Sequence, residues 1–480
     1  MSLFRRMSVC TGSAMALVAL SGTPGCNSPG NIRLGDVPAD RHSVATQNNE
    51  AARAHSDAAK VASYQTPVTN TSPASTLTSP SSDPFAGKTE LEIDLLVSEV
   101  LQRNPSVSAL VAAWRAAAER YPQVLSLDDP MFGAMLGPGS FGSSDVDFGY
   151  MVEISQKVPW PGKRHLRGAV AGAEADAAHQ DIEDSRLRLA EAAKLAFFDY
   201  FLVRRKTEVT TESAQEIQRF RDIALRIIEA GRATQQDVLL AEVELAELAR
   251  RQSELEQMEQ VAIARINTLL HRVPDHPLPP PPKELAPVQD IPPADALRNL
   301  AVDRRPDLAA QAARIRAEEA AVELACKDFY PDLEFVARYD AFWQPAERDL
   351  RPQVGVNLNL PLQRDRRRAA VQGAIARVAQ RRAELEQQID QINYEVQAAV
   401  ARLNQSRRNS QLYADPILPA ARLSVESAQA GYEAGAKVDF LRLIEAQRRL
   451  IDYREKQYEA GAEYHRREAE LERVLGGPAR

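Results

Sequence analysis

The sequence predicts a mainly α fold with a small β part, built from a duplicated unit in which a β-hairpin leads into a very long helix. Three observations carry that prediction. First, landmarks recur in the same order at nearly one spacing. "LQRNPSV" matches "DRRPDL", with Pro105 and Pro306 standing 201 residues apart, and "YMVEISQKVP" matches "QVGVNLNLP", with Pro159 and Pro361 202 apart. "EAGRATQQDVLLAE" matches "EAGAKVDFLRLIEA", with Gly231 and Gly435 204 apart. Second, the run before each Pro159-type joint alternates apolar and polar residues, the period of a strand. Third, each joint is followed by roughly seventy residues rich in good helix formers and nearly free of turn signals.

Residues 1–25 read as a secretory signal peptide: Arg5 and Arg6, a short apolar stretch from Ala14 to Leu20, then "GTPGC". The ending resembles a bacterial lipoprotein signal, in which Cys26 is lipidated and becomes the first mature residue. Gly25 fits that pattern, while Thr23 and Pro24 replace the usual leucine and small residue; an ordinary signal peptide cleaved nearby is the alternative. Residues 26–88, with "TPVTNTSPASTLTSPSSDP", hold too few large apolar side chains to offset the entropy of ordering and read as a flexible tether.

The first repeat, 89–273, reads as helix, two strands, long helix, shorter helix, and the second, 294–476, follows the same order. Between them the proline-rich crossing 274–293 lacks the periodicity of an element. The first strand of repeat one runs from Met131 to Leu136. The second sets Phe148, Tyr150, Val152 and Ile154 on one face and Gly149, Met151, Glu153 and Ser155 on the other. In repeat two a strand from Leu333 to Trp343 carries Leu333, Phe335, Ala337 and Tyr339 on one face. Its partner sets Val354, Val356, Leu358 and Leu360 against Gly355, Asn357 and Asn359. The loops "GPGSFGSSD" and "QPAERD" are turn-rich. The long helices are read at Lys163 to Glu229 and at Asp365 to Glu433. The second carries an apolar stripe, Val371, Ile375, Val378, Leu385, Ile389, Ile392, Val396, Val400 and Leu403, suited to coiled-coil-like packing.

Composition excludes several function classes. With 59 basic and 66 acidic residues the net charge is −7, spread in both signs, which argues against nucleic acid as a partner. No eighteen-residue apolar run follows the first thirty positions, so any membrane passage falls to strands. Strands of about nine to eleven residues match a bilayer crossing, and strands in lipid must close into a barrel of about eight or more. Four per chain cannot, so the reading is an oligomer whose chains each supply hairpins. Of three cysteines, Cys10 leaves with the signal and Cys26 carries lipid, which leaves Cys326, read as a small buried hydrophobe on a helix. No catalytic triad, phosphate loop or paired metal-ligand motif is present, and His271 and His276 flank Pro274 without helical spacing; no enzyme, metal or cofactor is expected.

The duplicated hairpin and long helix, the joint "PWPGK" and the turns "EAGRATQQDVLLAE" and "YEAGAKVDFLRLIEAQ" resemble the TolC-like outer membrane efflux protein family over about residues 90 to 476. The resemblance implies a homotrimer with a twelve-stranded barrel in the bacterial outer membrane and a helical tunnel in the periplasm. It implies a passive exit duct for a tripartite pump, with a periplasmic adaptor (membrane fusion protein) and an inner-membrane pump of the resistance-nodulation-division class as partners. "VPWPGK" also resembles the heavy-metal branch, the Cus- and Czc-like systems, although drug-efflux ducts share the fold. A lipidated coiled-coil adaptor or scaffold without a channel, and an outer-membrane component of type I protein secretion, are the alternatives. Repeat topology favours the duct.

A duct needs gate, docking and anchor residues rather than catalysts. Gly231 and Gly435 can adopt the backbone of a helix reversal, and a plain helix cap explains most of their presence. The resemblance carries Tyr432 to the tyrosine before the turn glycine, Lys437 to the basic residue after it, Glu445 to an inner channel-lining acid and Asp237 to the acid of the first turn. Arg442 departs from the pattern, standing where an outer acid is expected, and Asp439 offers a carboxylate elsewhere. A polar latch of Asp237, Tyr432 and Lys437 is the expectation; a solvated helix face is the bland alternative for Asp237 and Glu445. At the joint, Pro159 removes a ladder donor where the strand leaves the sheet, as Pro361 does in the other copy. Trp160 suits a headgroup layer. Pro161 is expected to preorganise the first helical turn, and Gly162 to permit the swing into it.

Overall fold

The computed structural model describes residues 84–142, 148–229, 234–287, 291–341, 352–434 and 439–479. The signal segment, Cys26 and the tether up to residue 83 lie outside them, as do Gly231, Gly435, Lys437 and the tips of both hairpins.

The chain opens with α1 (Ile93–Arg103), α2 (Pro105–Ala118) and α3 (Arg120–Leu125), then β1 (Met131–Leu136) and β2 (Tyr150–Val158). Next come α4 (Lys163–Glu229) and α5 (Gln235–Leu269). After the crossing, α6 (Ala294–Arg304), α7 (Pro306–Lys327), β3 (Leu333–Asp340) and β4 (Gln353–Leu358) lead into α8 (Arg364–Leu412), α9 (Leu418–Glu433) and α10 (Phe440–Leu475). The helix read at Lys163 to Glu229 is found at those bounds: 67 residues, about 100 Å at 1.5 Å each.

Three readings are corrected. The single opening helix of each repeat is broken at Pro105 and Pro306, because proline lacks the N–H that would continue the ladder and disfavours helical backbone before it. Asn104 turns the first break into a fresh start by accepting the Ser106 N–H at 3.0 Å. The second long helix is likewise interrupted: α8 ends at Leu412, and a π-helical turn, Tyr413–Ile417, contains Pro416. Three of the four strands are shorter than the expected nine to eleven residues, at six, eight and six, while β2 reaches nine. β1 and β4 are edges with a ladder on one side only, so they count as strand only where that ladder runs.

The four strands form one antiparallel sheet in the order β1-β2-β3-β4. Register pairs Phe132 with Ile154, Ile154 with Ala337 and Ala337 with Val354 across all four strands. One face therefore carries Phe132, Leu136, Val152, Ile154, Phe335, Val356 and Leu358, all large, apolar and exposed. The opposite face carries Glu153, Lys157, Glu334, Arg338 and Asn357, following the alternation expected of a strand. Phe148, expected on β2, precedes it and stacks on Tyr150. No described helix is long and apolar enough to cross a membrane.

The helices pack around three apolar clusters. In one, Phe197, Phe198, Tyr200 and Phe201 of α4 meet Leu96 and Val100 of α1 and Ile266 of α5; each such buried side chain contributes about 1.5–3 kcal/mol. In the second, Leu297 and Leu308 meet Ile392, Val396, Val400 and Leu403 of α8, so the lower half of the expected stripe is core. The third gathers Ile217, Phe220, Leu248, Tyr432, Phe440, Leu443 and Ile444 where α4, α5, α9 and α10 converge. Higher on α4, small side chains let another helix approach: Ala177 meets Ala310 and Ala313 of α7. Cys326 lies on α7 as expected but is half-buried rather than enclosed. α10 ends in a Schellman cap, with Gly476 N–H on Arg473 O and Gly477 N–H on Glu472 O.

Candidate functional site

Two places gather the residues singled out by sequence. At the joint after β2, the Trp160 carbonyl accepts the Lys163 N–H at 3.1 Å, and Gly162 has φ +90°. Proline second and a positive-φ glycine third define a type II turn. Pro161 thus shapes the turn before α4 rather than sitting in its first helical turn, which begins only at Lys163. The turn is held from the other repeat. Asp332 Oδ1 accepts the Trp160 N–H at 2.9 Å and lies 2.9 Å from Lys163 Nζ, which also lies 3.3 Å from Asp328. Lys163 is 3% exposed, so this cation is absorbed by the fold. The Trp160 ring stacks on Tyr330 at 5.2 Å. Pro361, at the matching joint, is half-buried just beyond β4.

At the far end of the helices, α5 starts at Gln235 behind Thr234, whose extended backbone marks the N-cap. Thr234 Oγ1 donates to Asp237 Oδ1 at 3.1 Å. The other carboxylate oxygen, Oδ2, accepts the Tyr432 hydroxyl at 3.1 Å, so α5 and α9 are tied by one side-chain bond. Tyr432 is 8% exposed and its ring tilts against Phe440 at 5.2 Å. Burial first, then the Asp237 charge and the hydrogen bond to it, push the phenol well above its ordinary value, so it stays a donor. Asp439 caps α10 through its backbone carbonyl, which accepts the Arg442 N–H at 3.0 Å. Arg442 and Glu445 project into solvent on the first turns of α10. The geometry thus brings Asp237 and Tyr432 together, while Lys437 lies outside the described residues.

Residues 297–477 match the outer membrane efflux protein family. No curated protein sequence matches the chain. Among solved structures, the OprN outer-membrane channel is similar at 21% identity and TM-score 0.67, covering 87% of this chain and 98% of that one. The outer membrane protein VceC of Vibrio cholerae is similar at 19% and 0.65, covering 81% and 97%. CusC, whose structures concern folding and transmembrane channel formation, is similar at 15% and 0.68, covering 81% and 92%. The second repeat thus carries an outer membrane efflux protein domain, and the described chain has the fold of these outer-membrane channels.

The Asp237–Tyr432 contact is the lowest rung of a ladder that was not expected from the sequence. Seven residues along α5, Glu244 pairs with Arg448 of α10, whose Nε lies 2.6 Å away. Seven further, Arg251 pairs with Glu455 at 2.5 Å. Both positions on α5, and both on α10, keep heptad spacing, the signal that could have found them. Glu244 is 5% exposed and Glu455 9%, so these pairs are less screened than surface pairs. Thr234 was legible too, since Thr-x-x-Asp before an apolar run is a capping pattern. Among the described residues no group of three or more His, Cys, Asp or Glu could hold a metal ion.

Proposed function

We propose that this protein is the exit duct of a tripartite pump, passing substrates from an inner-membrane transporter and a periplasmic adaptor to the outside. Three copies contribute four strands each to a twelve-stranded barrel, and the long helices continue it as a periplasmic tunnel. The observation that carries this reading is the sheet. Its apolar face is largely exposed, including Phe132 at 72% and Val354 at 86%, and among the described residues its outer strands β1 and β4 each have one neighbour. An apolar sheet face with open edges is unstable in water and in lipid alike, and closure with other copies in a bilayer satisfies both.

Cys26 carries the lipid that anchors the tether, and the repeats at 89–273 and 294–476 each supply one hairpin and one arm of the tunnel. Asp237 and Tyr432, with Lys437, latch the tip shut; Asp439, Arg442 and Glu445 line or flank the constriction, where threefold repetition would concentrate their charge. Gly231 and Gly435 make the turns that meet the adaptor. The cargo is a heavy-metal ion or a drug-sized molecule, and the partner pump is of the resistance-nodulation-division class. Purified full-length protein tests the duct: a heat-modifiable trimer that conducts in planar bilayers is expected, and a soluble monomer overturns it. A deletion strain challenged with metal and drug panels identifies the cargo class.

A further inference from the structure

The duplication makes the joint within one chain a template for the joint between two chains. Within the chain, β2 pairs with β3 so that Val158 faces Leu333, and immediately past that pair Lys163 is clamped by Asp328 and Asp332. β4 corresponds to β2 and β1 to β3. Ile154 and Val356 stand 202 residues apart, as Pro159 and Pro361 do, while their partners Phe132 and Phe335 stand 203 apart; those offsets set Leu360 of one copy opposite Pro130 of the next and keep the apolar face continuous. Continuing outward, Leu362 falls opposite Asp128 and Arg364 opposite Ser126 of the neighbouring copy, which puts Asp128 on the diagonal from Arg364.

That register brings two sets of uncompensated charge together. Arg364, Arg366 and Arg368 are exposed at the start of α8. Within the described residues Arg368 reaches only Asp365, at 3.5 Å, and no side-chain partner exists for Arg364 or Arg366. Arg367, between them, is turned back onto the Asp328 carbonyl at 2.7 Å. Four arginines among the first five residues of a helix oppose its dipole and repel one another, so the local fold does not account for them. On the other edge Asp128 and Asp129 are exposed just before β1 and make no side-chain contact with the described residues of their own chain. In the internal joint opposite charges from the two repeats satisfy each other; at the two free edges the cations sit on one and the anions on the other.

Resting on the trimeric barrel reading, we propose that Arg364 and Arg366 of one copy pair with Asp128 and Asp129 of the next. This clasp fixes the register in which β4 meets β1 between copies. The partner this surface fits is a second copy of the same chain. One-residue slips would turn the apolar face inward, and the hydrogen-bond ladder alone does not forbid them; a charge match at the strand ends does.

The test is a charge exchange in the full-length protein, read as the stability of the detergent-extracted trimer in unheated gels and by cross-linking. Reversing the basic set (Arg364→Glu with Arg366→Glu) or the acidic set (Asp128→Arg with Asp129→Arg) is expected to weaken the trimer about tenfold or more. The combined exchange should restore it to near the wild-type value. A trimeric wild type whose combined variant is no better than the worse single set overturns the clasp and leaves the duct reading intact. So does a basic-set defect that follows anionic phospholipid content and ignores the acidic set, since the arginines then serve lipid headgroups. A wild type that never trimerises removes the duct reading itself.

Discussion

Replacing Tyr432 by phenylalanine tests the proposed latch, because the ring and its packing on Phe440 stay while the hydroxyl bond to Asp237 is lost. A hydrogen bond to a charged acceptor is worth about 1.5–3 kcal/mol net. Asp237 is only half-buried, so the lower end applies, about 1.5 kcal/mol in each copy, or a factor of about ten in the open-to-closed ratio. If three copies open together the factors multiply to about a thousand; if each tip opens alone, the change stays near ten. Open probability of single channels in planar bilayers measures this directly and separates the two regimes. Asp237→Ala should open the tip at least as far, since it strands the Thr234 and Tyr432 hydroxyls together. The double variant should add little to either single one. Because burial and Asp237 raise the phenol above its ordinary value near 10, its stabilising contribution is complete below that pH and is lost only as pH rises toward the raised value. Closed-state stability should therefore not vary with Tyr432 titration between pH 6 and 9. Unchanged conductance in both Tyr432→Phe and Asp237→Ala would refute the latch.

Other perturbations test the frame that holds the tip. Asp307 accepts both arms of Arg305, at 3.0 and 2.7 Å, and a bond from Gln388 at 2.9 Å. Burial pulls its carboxyl up, but the Arg305 hydrogen bonds and charge outweigh that and hold it below the ordinary range. Its contribution is thus present above the unfolded value near 3.8 and lost as pH falls through the depressed one; Asp307→Asn should cost about 2–3 kcal/mol at pH 7 and flatten the acid limb of thermal stability. Gly162→Ala has room for its methyl group, the nearest atom being Lys327 Cε at 3.7 Å, so the cost is backbone strain alone, about 1–2 kcal/mol by denaturant unfolding. Gly476→Ala adds collision to strain, because a Cβ would stand 3.0 Å from the Arg304 carbonyl oxygen; it should lower stability more than Gly162→Ala does.

What could be read from the sequence followed from local physics. The uninterrupted helix Lys163–Glu229 was legible because a turn glycine precedes it and nothing inside it breaks a ladder. The apolar face of the sheet was legible from period-two alternation. Pro105, Pro306 and Pro416 are equally visible, the first two as markers of the repeat and the third inside a helical pattern; each ends or distorts a helix by its missing donor. At the tip, the pairing of Asp237 with Tyr432 came from resemblance, not from spacing, since the partners are 195 positions apart. Arg448–Glu244 and the clamp on Lys163 by Asp328 and Asp332 depend on how the two repeats face each other, which one strand of text does not specify.

The π-helical turn at Tyr413–Ile417 gives the two arms of the duplicated unit different mechanics. α4 is a single strut from sheet to tip, whereas the α8–α9 arm is a strut with a phase shifter in it. One extra residue per turn rotates everything downstream by about 100° relative to a continuous helix. The azimuth at which Tyr432 meets Asp237 is therefore set some fifteen residues away, and excising one residue from the turn would leave every latch atom in the chain while aiming the tyrosine elsewhere. Timing belts behave this way: a skipped tooth at the pulley moves the valve without touching it.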